Sequence, residues 1–148
     1  MNYNYFTVVF ACIWTSNALD LNELRLPDKT VIYYTDDVTG KSITIPKSFA
    51  DNLQSCHVIF PNKKTYEAFP TNRIPFGNIY FLTAPQPYTK CSIGFRGIAE
   101  DMSGVYELLS VVHHNADDKL SMTRLRVNLI VKKSEKERVE AKLKNKVG

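Results

Sequence analysis

An all-β antiparallel sandwich or barrel is the fold this sequence predicts, on three observations. Apolar residues recur with period two in short runs between Thr30 and Val131. Turn and breaker residues separate those runs at roughly the 8–12-residue spacing of such folds. No stretch before Lys132 keeps a helical period over several turns.

The elements follow in order. Thr30–Tyr34 (TVIYY) is β-branched and aromatic, and Asp36-Asp37-Val38-Thr39-Gly40 is a turn cluster. Ser42–Ile45 alternates and Pro46 ends it. Ser55–Phe60 alternates Cys56, Val58 and Phe60 against Ser55, His57 and Ile59, and Pro61-Asn62 stops it. Thr65–Phe69 is a short strand before Pro70. A Pro75–Asn78 turn leads into Ile79–Leu82, and a loop containing Pro85 and Pro87 follows. Cys91–Ile98 alternates again, and Gly104–His113 carries the strongest pattern. There Tyr106, Leu108 and Val112 should face the core while Glu107 and His113 face out. His114–Lys119 is a polar turn, and Leu120–Val131 alternates to its end.

Composition bounds the class. The chain has 148 residues, 44% hydrophobic and 23% charged, which suits one packed domain and excludes general disorder. No apolar run is long enough for a membrane-spanning helix. Met1 to Ala18 carries no charged side chain, and Phe6–Trp14 (FTVVFACIW) has the length of a signal-peptide core. Ser16-Asn17-Ala18 supplies small residues at the first and third positions before a cut. Residues 1–18 therefore read as a signal peptide, and the product as secreted and extracellular.

Cleavage removes Cys12 and Trp14 and leaves Cys56 and Cys91. An even cysteine count in an oxidising compartment predicts one disulfide between them. No Asn-x-Ser/Thr occurs. Charge is uneven: residues 19–131 are neutral, and the whole net charge of +4 lies in residues 132–148. That segment reads as a basic tail, partly helical or disordered, with a thin stripe of Val139, Leu143 and Val147.

From Cys91 onward the sequence resembles the immunoglobulin-like family. Cys91-Ser-Ile93-Gly-Phe95-Arg-Gly-Ile98, then Glu100-Asp-Met-Ser-Gly104-Val-Tyr106, is similar to that family's corner between strands E and F. The resemblance implies an immunoglobulin-like β-sandwich in which Gly104 and Tyr106 form the structural corner, the tyrosine hydroxyl bonding upstream backbone. Ser55-Cys56-His-Val58 looks like strand B and Leu120–Val131 like strand G. On that alignment Cys56 and Cys91 lie on neighbouring strands of one sheet. The chain departs from the family in placing Leu108 where the second cysteine stands and in having no tryptophan for strand C. Tyr66 or Phe69 would pack in its place.

Catalysis has no sequence support. No nucleophile elbow, phosphate loop, dinucleotide loop or zinc-protease motif is present, so neither an enzyme nor a cofactor is expected. His113-His114 with Asp117-Asp118 is the only cluster of metal-ligand types, and adjacent residues on a strand point to opposite sides. A metal is not expected there. Asp36-Asp37, Glu100-Asp101 and Asp117-Asp118 sit in turns, where they support the backbone.

The expected function is a binding module for another extracellular protein, with Tyr33, Tyr34, Tyr66, Tyr80 and Tyr88 as candidate anchors. A weak polyanion contact through Lys132, Lys133, Lys136, Arg138, Lys142, Lys144 and Lys146 accompanies it. No nucleic-acid partner is expected. The alternative is a small secreted sandwich that carries a lipid or other apolar ligand between its sheets.

Overall fold

The alternation along Gly104–His114 and Lys119–Lys132 is what organises the molecule, because these two long strands pair over eleven positions and present one apolar face. The computed structural model describes residues 21–37 and 40–147. The proposed signal peptide, its cut after Ala18, Cys12 and Trp14 lie outside the described residues. The strands are β1 (Asn22–Arg25), β2 (Lys29–Tyr34), β3 (Lys41–Thr44), β4 (Asn52–Ile59), β5 (Thr65–Phe69), β6 (Ile79–Phe81), β7 (Ser92–Phe95), β8 (Gly104–His114) and β9 (Lys119–Lys132). A 3-10 turn spans Glu100–Met102, and a helix, α1 (Glu135–Lys146), follows the last strand.

The larger sheet runs β1-β9-β8-β4-β5, with β2 also on β9. The smaller runs β3-β7-β6. All pairings are antiparallel except those of β1 and β2, which lie parallel to β9 end to end along its edge. Direction is free there, because no hairpin connects those strands to β9. Strand β1 had no sequence expectation. Its NELR stretch has no apolar alternation and every residue is exposed, so β9 supplies its order through pairing.

Inward side chains of both sheets interdigitate. Cys56, Val58, Leu108, Leu125, Val127 and Leu129 from the larger sheet meet Ile93, Phe95 and Ile43 from the smaller, all 4% exposed or less. Each such burial contributes about 1.5–3 kcal/mol of transfer free energy. Strand β4 reaches this core through a bulge between Leu53 and Ser55. The bulge returns Leu53 to the core three residues before Cys56, which strict alternation would have put outside.

Cys56 and Cys91 are joined by a disulfide, with Cα atoms 5.2 Å apart. Its placement corrects the alignment with strand B. Strand β4 pairs with β5 and β8, while β7, which Cys91 precedes, pairs with β3 and β6. The bridge therefore crosses between the two sheets, not between neighbours in one sheet. Sheet membership is decided by pairing partners, and local alternation, which is the same on any core strand, does not encode it.

The tail is a helix whose residues are all exposed. It is anchored at its first turn. The Ser134 hydroxyl accepts from Glu137 N at 3.2 Å, Thr35 Oγ1 accepts from Ser134 N at 3.2 Å, and the Thr35 hydroxyl donates to Glu137 Oε2 at 2.7 Å.

Candidate interaction surface

The outward positions of the larger sheet are apolar where a solvated strand would be polar. Register places Ile59 opposite Glu107, His57 opposite Leu109, and Ser55 opposite Val111, all pointing away from the core. On the other side of β8, Leu109 faces Arg124, Val111 faces Met122, and Val105 faces Asn128. Ile59, Val105, Leu109, Val111 and Met122 thus stand half-buried on a face that no other layer covers among the described residues. Further along the same face, Ile32 pairs with Ile130 and Tyr34 with Lys132, with Ile32 and Tyr34 exposed.

Charge on this face is organised around Arg124. Its Nη1 donates to Glu107 Oε1 at 2.6 Å and its Nε to Glu23 Oε1 at 3.2 Å, which ties β8, β9 and β1 together. The hydrogen bond to Glu107 is the main cause of the upward shift of the Arg124 pKa. The outcome is an apolar strip beside a fixed guanidinium–carboxylate array. The sequence signal was in β8 itself: in GVYELLSVVHH, Val105, Leu109 and Val111 make its solvent side apolar as well as its core side.

The five candidate tyrosines do not converge. Tyr33 is a core residue, 8% exposed, its hydroxyl donating to Ser42 O at 3.0 Å and its ring edge-on to Phe95. It is therefore no partner anchor. Burial, with the charge of Asp37 added, raises its pKa. Tyr66 pairs with inward-facing Val58 and packs edge-on against Phe60 and Phe76. Tyr80 lies on the outer side of the smaller sheet against Gly94, under the Arg96 guanidinium at 4.6 Å. Only Tyr34 and Tyr88 are well exposed, at 43% and 58%.

Tyr88 has a neighbour that sequence reasoning missed. Phe49, 62% exposed, stands 4.9 Å from it in an edge contact between two loops. Lys47 joins those loops by donating to the carbonyls of Ser48, Asp51 and Pro87 at 3.1, 2.6 and 2.5 Å. Burial lowers the Lys47 pKa.

At the corner, Tyr106 donates to Met102 O at 2.8 Å, and Gly104 adopts φ 145° against Pro61. The histidines separate. His113 Nε2 meets Asp118 at 2.5 Å, while His114 Nδ1 meets Asp51 at 2.8 Å and its Nε2 meets Ser121 at 2.7 Å. The Asp118 hydrogen bond raises the His113 pKa. Among the described residues no three metal-ligand side chains converge. The turn carboxylates serve the backbone: Asp37 accepts from Tyr34 N at 2.9 Å and Asp117 from Lys119 N at 3.2 Å. All seven tail cations are exposed, and Lys133 Nζ lies 3.9 Å from Glu100. No helix among the described residues is long and apolar enough to cross a membrane.

No family model matches this sequence, and no curated protein matches it significantly. Solved structures do. A structure of murine CRIg, an immunoglobulin-superfamily domain, superposes with a TM-score of 0.50 at 10% identity, covering 70% of this chain and 92% of that one. Extracellular domains 3–5 of Drosophila OTK align at a TM-score of 0.42 and 11% identity, over 78% of this chain and 36% of that one. The likeness to the first shows the fold of this chain to be immunoglobulin-like.

Proposed function

We propose, from this immunoglobulin-like fold, that the chain is a secreted binding module that recognises another extracellular protein through the open face of its larger sheet. The observation that carries the reading is the strip of Ile59, Leu109, Val111 and Met122 beside the Arg124–Glu107 array. Apolar anchors rimmed by fixed charge are the usual anatomy of a protein interface.

The carrier alternative needs room between the sheets. That space is taken up by Phe95, Ile93, Leu108, Leu125 and Leu129, each 2% exposed or less. Packing of that kind favours a binding module.

The test is a screen of the secreted chain against an array of extracellular proteins, followed by variants of the bound pair. Leu109→Arg puts an unmatched charge in the centre of the strip and should weaken binding by more than about tenfold. Tyr88→Ala should leave it unchanged. Loss of binding with Tyr88→Ala but not with Leu109→Arg would move the site to the loops and reject the sheet face.

A further inference from the structure

The end of the sandwich where β4 leaves the core and β8 enters it holds a concavity of about 220 Å³. It lies away from the sheet face just described. Its apolar wall is formed by Phe60, Phe76, Ile79, Met102 and Tyr106, and Asp101 also lines it. The aromatic wall is fixed by mutual contact: the Phe60 ring centroid is 5.2 Å from Phe76 and 5.5 Å from Tyr106. Phe60 is buried, while Phe76 is 39% exposed.

Two features set the chemistry of an occupant. The first is size. Pockets for drug-sized molecules run to roughly 300–1,000 Å³, so this one suits a single unbranched side chain. The second is charge. Glu100, next to Asp101, is met by Lys133, but Asp101 makes no ion pair among the described residues. Its field reaches into the wall, where it adds to burial in raising the Tyr106 pKa. Apolar aromatic surface ending at an unpaired carboxylate complements an alkyl chain ending in a cation.

We propose that this concavity takes an alkylammonium group, namely the lysine side chain of a protein partner, with its methylenes against Phe60, Phe76 and Met102 and its ammonium at Asp101. The site goes beyond the sheet-face reading and is independent of it. Leu109→Arg should leave it untouched.

The experiment is an NMR titration of the full chain with N-acetyl-lysine-N-methylamide and, separately, with the norleucine analogue, which has the same carbon chain and no charge. Concentrations run into the tens of millimolar, because a single side chain binds weakly. Lysine should shift the Met102 methyl and the Phe76 and Tyr106 ring signals, and should bind about three- to tenfold tighter than norleucine. Asp101→Asn should abolish that preference, and Phe76→Leu should weaken both ligands while the Asp101-dependent preference remains. A Gly-Lys-Gly peptide separates chain-borne lysine from a free amine. If butylammonium chloride shifts the pocket and the peptide does not, the protein-partner assignment fails. Equal binding of lysine and norleucine, shifts confined to other residues, or no shift at all would overturn the proposal.

Discussion

The Tyr106 hydroxyl donates to the carbonyl of Met102, four residues upstream, at 2.8 Å in a fully buried setting. That bond ties the 3-10 turn to the start of β8. Burial, with the charge of Asp101 added, pushes the Tyr106 ionisation from 10.0 up to about 12. Removing the hydroxyl leaves a buried carbonyl unsatisfied, so Tyr106→Phe should cost about 1–3 kcal/mol by urea denaturation at neutral pH.

Burial of the same hydroxyl carries a pH dependence. A folded-state pKa raised above the unfolded value contributes stability that is fully present below pH 10.0 and lost as pH climbs toward about 12. The gap in stability between wild type and Tyr106→Phe should therefore narrow through that window. Tyrosinate absorbance should show one phenol ionising later in the wild type than any in the variant.

Gly104→Ala tests the corner from the backbone side. At φ 145° a side chain is strained, and its Cβ would stand 2.7 Å from Pro61 Cβ and Cγ. The loss should be about 1–3 kcal/mol. A denaturation midpoint unchanged by the substitution would place the corner elsewhere.

Register along β8 can be read from two adjacent substitutions. Leu108 is 0% exposed, and Leu108→Asp buries an unpaired carboxylate, so no folded protein should be recovered. Leu109→Asp, on the open face, should yield folded protein by circular dichroism. The reverse pattern would mean a one-residue slip.

The tail beyond Arg138 should be thermally dispensable but electrostatically active. Truncation after Lys133 removes the bonds among Ser134, Thr35 and Glu137, a loss of about 1 kcal/mol on melting. Truncation after Arg138 keeps them and should leave the melting curve unchanged. Both forms should leave a heparin column at lower salt than the full chain, since Lys142, Lys144 and Lys146 are exposed.

Much of the fold was legible because strand chemistry is local. Thr65–Phe69 has the bounds read from its sequence, and the strand runs from Thr30 to Val131 are all found, shifted by a few residues at their ends. What was not legible depends on partners. Strand β1 exists through β9, and Cys56 joins the larger sheet through β8, relationships that no window of sequence contains. The interaction surface was read less well. A tyrosine's composition and strand context do not tell its side of the sheet, and Tyr33 faces the core. The apolar outer side of β8 and the Phe49–Tyr88 pair emerge only when strands and loops are set side by side.

The bridge between the sheets also governs how the chain would respond to pulling. A tether from residue 56 to residue 91 shunts tension past everything between them, including β5, β6 and the loop that carries Tyr88. Stretched from its ends, the oxidised chain would lengthen by about 120 Å less than the reduced one. The enclosed segment would stay slack while β1, β2, β8 and β9 bear the load. Because β2 and β9 are parallel and bonded along Lys29–Tyr34, that load meets their hydrogen bonds in shear, the geometry in which many must break together.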